Sequence, residues 1–346
     1  MIKEAIGTLV ERKDLTYQEA YFVMGEIMGG EATPVQIAAF LTALRLKGET
    51  VDEIAGMASV MRAKVTPVKI AGPAIDIVGT GGDGAGSFNV STAAAFVAAG
   101  AGLKVAKHGN RAASSQCGSA DVLEALGVKI DLGPGEVAAC IEKLGIGFMF
   151  APVYHPAMKY AAPVRKEMGI RTVFNILGPL TNPAAVEHLV LGVPSEELGN
   201  KIAAVLHRLG VKHALVVHGK DGLDELSISG KSIIWDVTRD KVSSPYEVSP
   251  KNFGLEKADA GEIKGGTPKE NAEKLLNILD KKKGAPRDIT VMNAAVALVA
   301  GNVTSDLKEA ARRAGEAIDS GKAKEKLYGL VEMSWSLVKD AKDHTG

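Results

Sequence analysis

The sequence predicts an α/β protein in which a small N-terminal helical bundle precedes a large domain with a central, mostly parallel sheet flanked by helices. Three observations carry this prediction. The first 66 or so residues show only helical signals, a boundary rich in Pro and Gly follows, and strand-like apolar runs then alternate with helical patterns. The 346 residues suit one large domain or two ordinary ones, and 46% apolar with 24% charged residues is an ordinary globular composition.

The helices of the N-terminal region are marked by their own start and stop signals. Three capping boxes follow one another, each with Thr at the N-cap and Glu or Gln three residues later: Thr16–Glu19, Thr33–Gln36 and Thr50–Glu53. Gly29-Gly30 and Gly48 stand where the preceding helices should end. We therefore predict four short helices, whose apolar residues form core or subunit contacts rather than a cofactor site: Phe22, Met24, Met28 and Phe40.

Beyond Thr66-Pro67 and Ala71-Gly72-Pro73 the predicted elements alternate. Strands are expected over 75–78, 103–106, 147–151, 188–193, 214–218 and 233–237. Helices are expected over 90–99, 120–126, 134–144, 196–209, 269–281, 289–299 and 307–317. This alternation is typical of a parallel sheet covered by helices.

A glycine-rich loop, Gly79 to Gly84, directly follows the first predicted strand. Such a turn lets backbone N–H groups converge on a phosphate with no Cβ in the way. Four glycines in six residues exceed the need of a plain turn, so we predict an anion-binding loop. The loop also fits the dinucleotide fingerprint, but the next helix starts late and Lys107-His108 stand where an acidic residue is expected.

Polar residues gather at the ends of other elements. Asn89, Ser91 and Thr92 open the next helix, either as caps or as donors to an anion at its positive end. Lys107 to Arg111 end the second strand, at the edge where ligands of open α/β sheets bind. Ser114, Ser115, Gly118 and Ser119 follow, and Ser119 is either a cap or a phosphate donor.

Asp224-Glu225 follow a later strand. Two adjacent carboxylates on a loop suit Mg²⁺, which binds through one or two carboxylates together with substrate phosphates. Taken alone such a pair is ordinary surface charge, and it gains meaning beside a phosphate-binding loop.

Composition excludes several classes. Lys and Arg total 41, as do Asp and Glu, so the basic excess of proteins that bind nucleic acid or anionic membranes is missing. Cys117 and Cys140 are too few for a disulfide scaffold and fit a reduced cytoplasmic protein. We expect no signal peptide or membrane helix, and the sequence has no zinc or nucleophile-elbow motif.

Taken together in chain order, the motifs resemble the anthranilate phosphoribosyltransferase family nearly end to end. The most specific are Gly79-Thr80-Gly81-Gly82-Asp83, Phe88-Asn89-Val90-Ser91-Thr92, Lys107-His108-Gly109-Asn110-Arg111, Gly118-Ser119-Ala120-Asp121, His155-Pro156-Ala157-Met158, Pro163-Val164-Arg165, Gly169-Ile170-Arg171-Thr172, Leu177-Gly178-Pro179-Leu180 and Asp224-Glu225-Leu226-Ser227.

The resemblance implies Mg²⁺-dependent transfer of a phosphoribosyl group from 5-phosphoribosyl 1-pyrophosphate to the amine of anthranilate, the second step of tryptophan biosynthesis from chorismate. It also implies a small helical domain formed by 1–68 with 156–181 and a large domain formed by 69–155 with 182–346. A hinge would join them, and a homodimer would form through the helical domain. Neither a nucleic acid nor a membrane is an expected partner.

The resemblance further assigns site residues. It places 5-phosphoribosyl 1-pyrophosphate on Gly79, Thr80, Gly81, Gly82, Asp83, Ser87, Asn89, Ser91, Thr92, Lys107 and Ser119. It places anthranilate on Gly79, His108, Asn110, His155, Arg165 and Gly178. It gives Mg²⁺, as two ions, to Ser91, Asp224 and Glu225, and makes Lys107, Asn110 and Arg165 the catalytic residues. Whether His108 or His155 transfers a proton stays open.

Two alternatives remain at this point. A pyrimidine nucleoside phosphorylase of the same fold would use phosphate and carry Lys-His-Ser in place of Lys-His-Gly-Asn-Arg. A non-catalytic paralogue that binds nucleic acid would need basic surface runs and a positive net charge.

Overall fold

In this computed structural model the N-terminal helices form as their capping signals predict. They are α1 (Ile2–Val10), α2 (Tyr17–Gly29), α3 (Pro34–Lys47) and α4 (Val51–Lys64). All three predicted capping boxes are present, with Thr16, Thr33 and Thr50 each accepting from the backbone N–H three residues on. Gly30 ends α2 in the left-handed region, at a φ of 79°, where a glycine costs least.

A seven-stranded sheet forms the centre of the rest of the chain. Its strands are β1 (Ile75–Gly79), β2 (Val105–Gly109), β3 (Ile146–Phe150), β4 (His188–Gly192), β5 (His213–Gly219), β6 (Ser232–Thr238) and β7 (Tyr246–Val248). Their order is β3-β2-β1-β4-β5-β6-β7; the first five in this order are parallel, and β6 runs antiparallel to both of its neighbours, β5 and β7. The predicted fold class is confirmed, although β7 was not predicted.

The chain leaves β1 toward β2 on one side and returns as β4 on the other. Such a switch point opens a crevice at the carboxyl ends of the strands. The glycine loop follows β1 and therefore lies in this crevice.

Helices connect and cover the strands. They are α5 (Val90–Gly100), α6 (Ser119–Ala125), α7 (Pro134–Leu144), α8 (Ala151–Tyr154), α9 (Ala162–Met168), α10 (Phe174–Leu177), α11 (Glu196–Arg208), α12 (Pro268–Leu279), α13 (Ala285–Ala300), α14 (Leu307–Asp319) and α15 (Lys322–Asp343). The structure describes residues 1–112 and 116–343, with side chains to 338, so Ser114 and Ser115 lie outside the described residues. Within those ranges, none of the helices is long and apolar enough to cross a membrane.

The two faces of the sheet belong to different cores. Val190 on β4 joins the core under α5, α13 and α14, whereas its neighbours Leu189 and Leu191 join the core that includes α11 and the N-terminal helices. This alternation is the period-2 pattern of a strand buried on both sides.

The segment between β3 and β4 leaves the sheet and packs on the N-terminal helices. A 3₁₀ turn at Pro156–Lys159 contacts α2, α9 contacts α3, and α10 contacts α4. The Arg62 Nε of α4 also donates to the Leu180 carbonyl at 2.7 Å.

Candidate active site

The glycine loop is fitted closely around Asp224. Gly79 and Gly192 pair across β1 and β4, and a Cβ on either would overlap Asp224. The Gly81 N–H donates to Asp224 Oδ2 at 2.7 Å. The absence of two Cβ atoms therefore lets a carboxylate from a loop more than 140 residues away reach the glycine loop.

Three carboxylates converge at this point. One oxygen from each of Asp83, Asp224 and Glu225 lies within 4.8 Å of the others. Burial and mutual repulsion raise the pKa of Asp224 to about 7 and hold the pKa of Glu225 well above its usual range. Asp83 Oδ2 and Glu225 Oε2 are buried without a hydrogen-bond partner. Clustered oxygen ligands that lack partners fit a hard divalent cation such as Mg²⁺.

The loop that carries Asp224 and Glu225 is itself held by side-chain hydrogen bonds. Asp221 Oδ2 accepts from Ser227 Oγ at 2.5 Å and from Ser229 Oγ at 2.7 Å. Asn293 of α13 accepts from the Leu226 N–H at 3.0 Å. The carboxylate pair is thus presented from a fixed loop rather than from a loose surface turn.

Lys107 is buried behind the glycine loop. Its side chain is only 3% exposed, and its ammonium donates to the Ile77 carbonyl at 2.6 Å and lies 3.5 Å from Ser91 Oγ. Burial lowers the pKa of Lys107 against the opposing charges of Asp76 and Glu225, while burial raises the pKa of Asp76 to about 6. A contact between Lys107 and phosphate stays a prediction, because the ammonium bonds within the protein here.

The start of α5 also presents polar groups to the crevice. Asn89 occupies the N-cap without a side-chain cap bond and instead binds the Cys117 carbonyl and Asn271. The Oγ1 atoms of Thr80 and Thr92 are buried and have no partner. Of the six buried side-chain polar atoms without a partner in the described part of the chain, four lie on Thr80, Asp83, Thr92 and Glu225.

This concentration has a physical meaning. A buried polar group without a partner costs free energy of about 1–3 kcal/mol, and proteins keep such groups where a ligand satisfies them. The unpartnered atoms therefore mark the crevice as a binding site for a polar ligand.

A second cluster holds part of the predicted anthranilate set. His108 Nε2 lies 3.2 Å from His155 Nε2, and the backbone of Gly178 lies near enough to His108 to oppose the lowering of its pKa. Burial lowers the pKa of His108 to about 3 and that of His155 to about 4, so both rings are neutral at pH 7. The structure thus brings three predicted residues together in a neutral polar pocket.

The other predicted anthranilate residues are placed differently. The Arg165 guanidinium lies over the ring of Phe174, 5.1 Å from its centroid. The Asn110 carbonyl accepts from Ser119 Oγ at 3.3 Å. Ser119 is the first residue of α6 and Gly118 is the N-cap, so the cap role considered for Ser119 is wrong. Among the described residues, no hydrogen bond joins Arg165 to His108, His155 or Asn110.

Two residues at the site, Arg171 and Asn182, were not predicted from the sequence. Arg171 donates to the carbonyls of Thr80 and Gly81. Asn182 donates to Asp76 Oδ2 at 2.7 Å and to the Ala106 carbonyl at 2.8 Å, and so joins β1 to β2. Sequence spacing provides no signal for either, although Arg171 lies in one of the motifs quoted above.

Two neighbouring residues have structural roles. Arg111 pairs with Asp121 at 3.0 Å and Glu124 at 2.8 Å, so its donors hold the loop before α6. Burial raises the pKa of Cys117 to about 11, which keeps its thiol protonated and poorly reactive.

Two parts of the chain match the glycosyl transferase family. Its helical bundle domain matches residues 3–65, and its α/β domain matches residues 71–324. The anthranilate phosphoribosyltransferase of Dehalococcoides mccartyi is 58% identical over 97% of this chain and 99% of its own length. That of Chloroflexus aggregans is 57% identical over 96% of this chain and 98% of its own length.

Solved structures agree. The anthranilate phosphoribosyltransferase of Thermus thermophilus superposes with a TM-score of 0.90 at 45% identity, over 95% of this chain and 99% of that one. The Saccharomyces cerevisiae enzyme, solved in complex with 5-phosphoribosyl 1-pyrophosphate and Mg, gives a TM-score of 0.89 at 31% identity, over 97% and 98%.

Neither the nucleoside phosphorylase nor the nucleic-acid-binding alternative is favoured by these matches, all of which span the chain nearly end to end. The chain belongs to the anthranilate phosphoribosyltransferase family of glycosyl transferases.

Proposed function

We propose that this chain transfers the 5-phosphoribosyl group of 5-phosphoribosyl 1-pyrophosphate to the amine of anthranilate. The products are N-(5-phosphoribosyl)anthranilate and pyrophosphate. The observation that carries the proposal is the set of unpartnered polar atoms on Thr80, Asp83, Thr92 and Glu225, gathered around a glycine loop at the sheet's switch point. Hydroxyl groups and carboxylates in one crevice suit a ligand that is both a polyanion and a magnesium chelator.

The chain as a whole carries no net charge, so groups close to the site must attract the sugar phosphate. We assign it to the glycine loop, the first turn of α5 and neighbouring donors: Gly79, Thr80, Gly81, Gly82, Asp83, Ser87, Asn89, Ser91, Thr92, Lys107 and Ser119. Loop N–H groups and a helix N-terminus favour a phosphate at this place.

Asp83, Asp224 and Glu225 would hold Mg²⁺ together with the pyrophosphate, and Ser91 would serve a second ion. When bound, the metal neutralises charge that grows on the leaving pyrophosphate. The chain's own residues supply the rest: Lys107 balances the carboxylates from below the loop, and Asn293 and Asp221 keep the acidic loop in position.

Positioning is the main catalytic contribution of the protein. The bond from ribose C1 to the pyrophosphate oxygen breaks as the anthranilate nitrogen bonds to C1, and the nitrogen then releases a proton. The amine of anthranilate is already neutral at pH 7, so the step needs neither a strong base nor a covalent enzyme intermediate. The neutral His108–His155 pair suits a hydrogen-bonding role toward anthranilate.

Arg165, Asn110 and Gly178 complete the proposed anthranilate side. A guanidinium presents a planar fork to a carboxylate, so Arg165 is assigned to the anthranilate carboxylate. Arg165→Ala is expected to raise the KM for anthranilate about tenfold to a hundredfold, with a much smaller effect on the KM for the sugar phosphate. Equal effects on both substrates would remove this assignment.

A direct assay tests the function. The chain is incubated with anthranilate, Mg²⁺ and 5-phosphoribosyl 1-pyrophosphate while anthranilate fluorescence and free pyrophosphate are followed. We expect fluorescence to fall in step with pyrophosphate release, and only when all three components are present. Phosphate-dependent cleavage of a nucleoside without this reaction would favour a phosphorylase instead.

We further propose that 1–68 with 156–181 form one domain, 69–155 with 182–346 the other, and that the helical domain forms a homodimer. The contacts of 156–181 with α2, α3 and α4 support the division. Phe22, Val35 and Leu46 leave 46%, 79% and 78% of their surface exposed, which supports an apolar interface on the helices. Phe22→Glu with Leu46→Glu is expected to shift the mass in sedimentation to a monomer; an unchanged mass would overturn this interface.

A further inference from the structure

Arg171 links two parts of the molecule that are distant in sequence. It lies between α9 and α10, on the segment that packs against the N-terminal helices. Its Nη2 donates to the Gly81 carbonyl at 2.9 Å and to the Thr80 carbonyl at 3.2 Å. One side chain thus grips two successive carbonyls of the glycine loop.

The position of the Arg171 side chain explains why residue 82 is a glycine. The Arg171 guanidinium fills the space where a Cβ of Gly82 would stand, and Gly82 has a φ of +80°. Position 82 therefore requires glycine for two separate reasons, its backbone conformation and the presence of Arg171.

The hydrogen bonds from Arg171 also fix the direction in which the N–H groups of the glycine loop point. In a trans peptide the C=O and the following N–H point in opposite directions. Because the carbonyls of Thr80 and Gly81 face Arg171, the N–H groups of Gly81 and Gly82 face the other way. The Gly81 N–H reaches Asp224 as this requires. The Gly82 N–H bonds to no protein group in the described residues and points to the same side.

The backbone that follows Arg171 is also held by hydrogen bonds. The Thr172 N–H donates to Asn175 Oδ1 at 3.0 Å, and the Asn175 N–H donates back to the Thr172 carbonyl at 2.9 Å. Further along the same segment, Asn182 is tied to β1 and β2. The backbone next to Arg171 is therefore held in a hydrogen-bonded turn.

We propose that Arg171 is a positioning residue that orients the glycine loop amides toward the sugar phosphate and couples that loop to the segment carrying Arg165 and Gly178. The proposal rests on the proposed function. Arg171 lies outside the set of residues assigned to substrate binding. The proposal predicts that an ordered segment around Arg165 and Gly178 strengthens the binding of 5-phosphoribosyl 1-pyrophosphate.

Binding of Mg²⁺ with 5-phosphoribosyl 1-pyrophosphate, measured by calorimetry without anthranilate, tests the role. Arg171→Gln is expected to weaken this Kd about tenfold, since two hydrogen bonds from a charged donor are lost. Arg62→Gln is the matched control, because Arg62 donates to the Leu180 carbonyl on the same segment without touching the loop. It should stay within about twofold of wild type. A wild-type Kd retained by Arg171→Gln would overturn the proposal, whereas no binding by wild type would instead overturn the proposed function.

A double-mutant cycle separates positioning from general damage to the fold. Gly82→Ala is expected to weaken the Kd about tenfold more in the wild-type background than in Arg171→Ala, where the added methyl finds room. Additive effects would contradict the grip. Arg171→Lys keeps the charge, but its side chain is one atom shorter and lacks the Nη2 atom that reaches both carbonyls, so its Kd should rise at least about threefold. A wild-type Kd for this variant would also contradict the proposal.

Discussion

Glu53 in the helical bundle and Glu225 at the strand ends carry the same side chain in opposite circumstances. Glu53 is fully buried and accepts from the Leu15 N–H, the Thr50 N–H and the Lys47 ammonium at 2.8–3.0 Å. Glu225 buries its Oε2 with no partner, beside two other carboxylates. Glu53 is satisfied by hydrogen bonds within the protein, whereas Glu225 has an oxygen that only a bound ligand would satisfy.

The difference separates structural from functional carboxylates. Elsewhere in the described part of the chain, only Thr172 Oγ1 and Arg287 Nε are buried side-chain polar atoms without a partner. A cluster of unpartnered acids in such a chain is kept for a ligand rather than for stability. Substitutions in the two regions should therefore produce opposite effects on stability and activity.

The largest effect is expected from Asp224→Asn combined with Glu225→Gln. Loss of the carboxylates that hold the cation should lower kcat/KM about a thousandfold, since a bound metal contributes several kcal/mol to a charged transition state. The melting temperature should stay the same or rise, because two poorly compensated negative charges disappear. Assay and thermal melting are done on one preparation, and a fall in stability with activity retained would reverse the assignment.

Glu53→Gln is the matched opposite. Glutamine offers one oxygen where two backbone N–H groups and Lys47 need acceptors, so an amide group must face a donor. Urea unfolding should show a loss of about 3 kcal/mol, as for a broken buried ion pair. The activity of the folded variant should match that of wild type. A loss of activity with unchanged stability would show that Glu53 is a functional carboxylate and not a structural one.

The histidine pair extends the comparison to pH. Burial lowers the pKa of His155 from its ordinary value of 6.5 to about 4. Between these two pH values the imidazole is protonated in the unfolded chain but neutral in the folded chain. Stability from this residue is present above pH 6.5 and is lost as the pH falls. Moving from pH 7 to pH 5 should cost wild type about 2 kcal/mol more than His155→Gln. Equal acid sensitivity in urea titrations would show that the ring is not buried neutral.

The smallest effect is expected from Thr50→Ala, which removes the N-cap acceptor of the helix that carries Glu53. The loss should be about 1 kcal/mol in urea unfolding. Activity should not change, since the cap lies in the satisfied region. A loss above that of Glu53→Gln would reverse the order expected from burial.

Local chemistry explains what could be predicted from the sequence. The capping boxes are signals over four residues, and the three N-caps predicted from them, Thr16, Thr33 and Thr50, are confirmed. The strand before the glycine loop and the helix after Asn89 are likewise confirmed, as β1 and α5. In contrast, β7 is only three residues long with two of them exposed, so it carries no burial pattern to detect.

Long-range contacts explain what could not be predicted. Asp83 lies in the glycine loop, and nothing local indicates that it meets Asp224 and Glu225. Arg171 reaches a loop 90 residues earlier, and Asn182 reaches Asp76 from 106 residues away. The sequence motifs indicate which residues serve a ligand, but the sheet order decides which of them meet.

A magnesium titration of the reaction tests the central claim most directly. Rates are measured at saturating anthranilate and 5-phosphoribosyl 1-pyrophosphate for wild type, Glu53→Gln and Glu225→Gln, below the melting temperature of each. The account predicts that Glu53→Gln keeps the wild-type magnesium requirement, while Glu225→Gln needs at least about tenfold more. A wild-type magnesium requirement in Glu225→Gln would contradict the account, because the unpartnered glutamate would then not serve the cation.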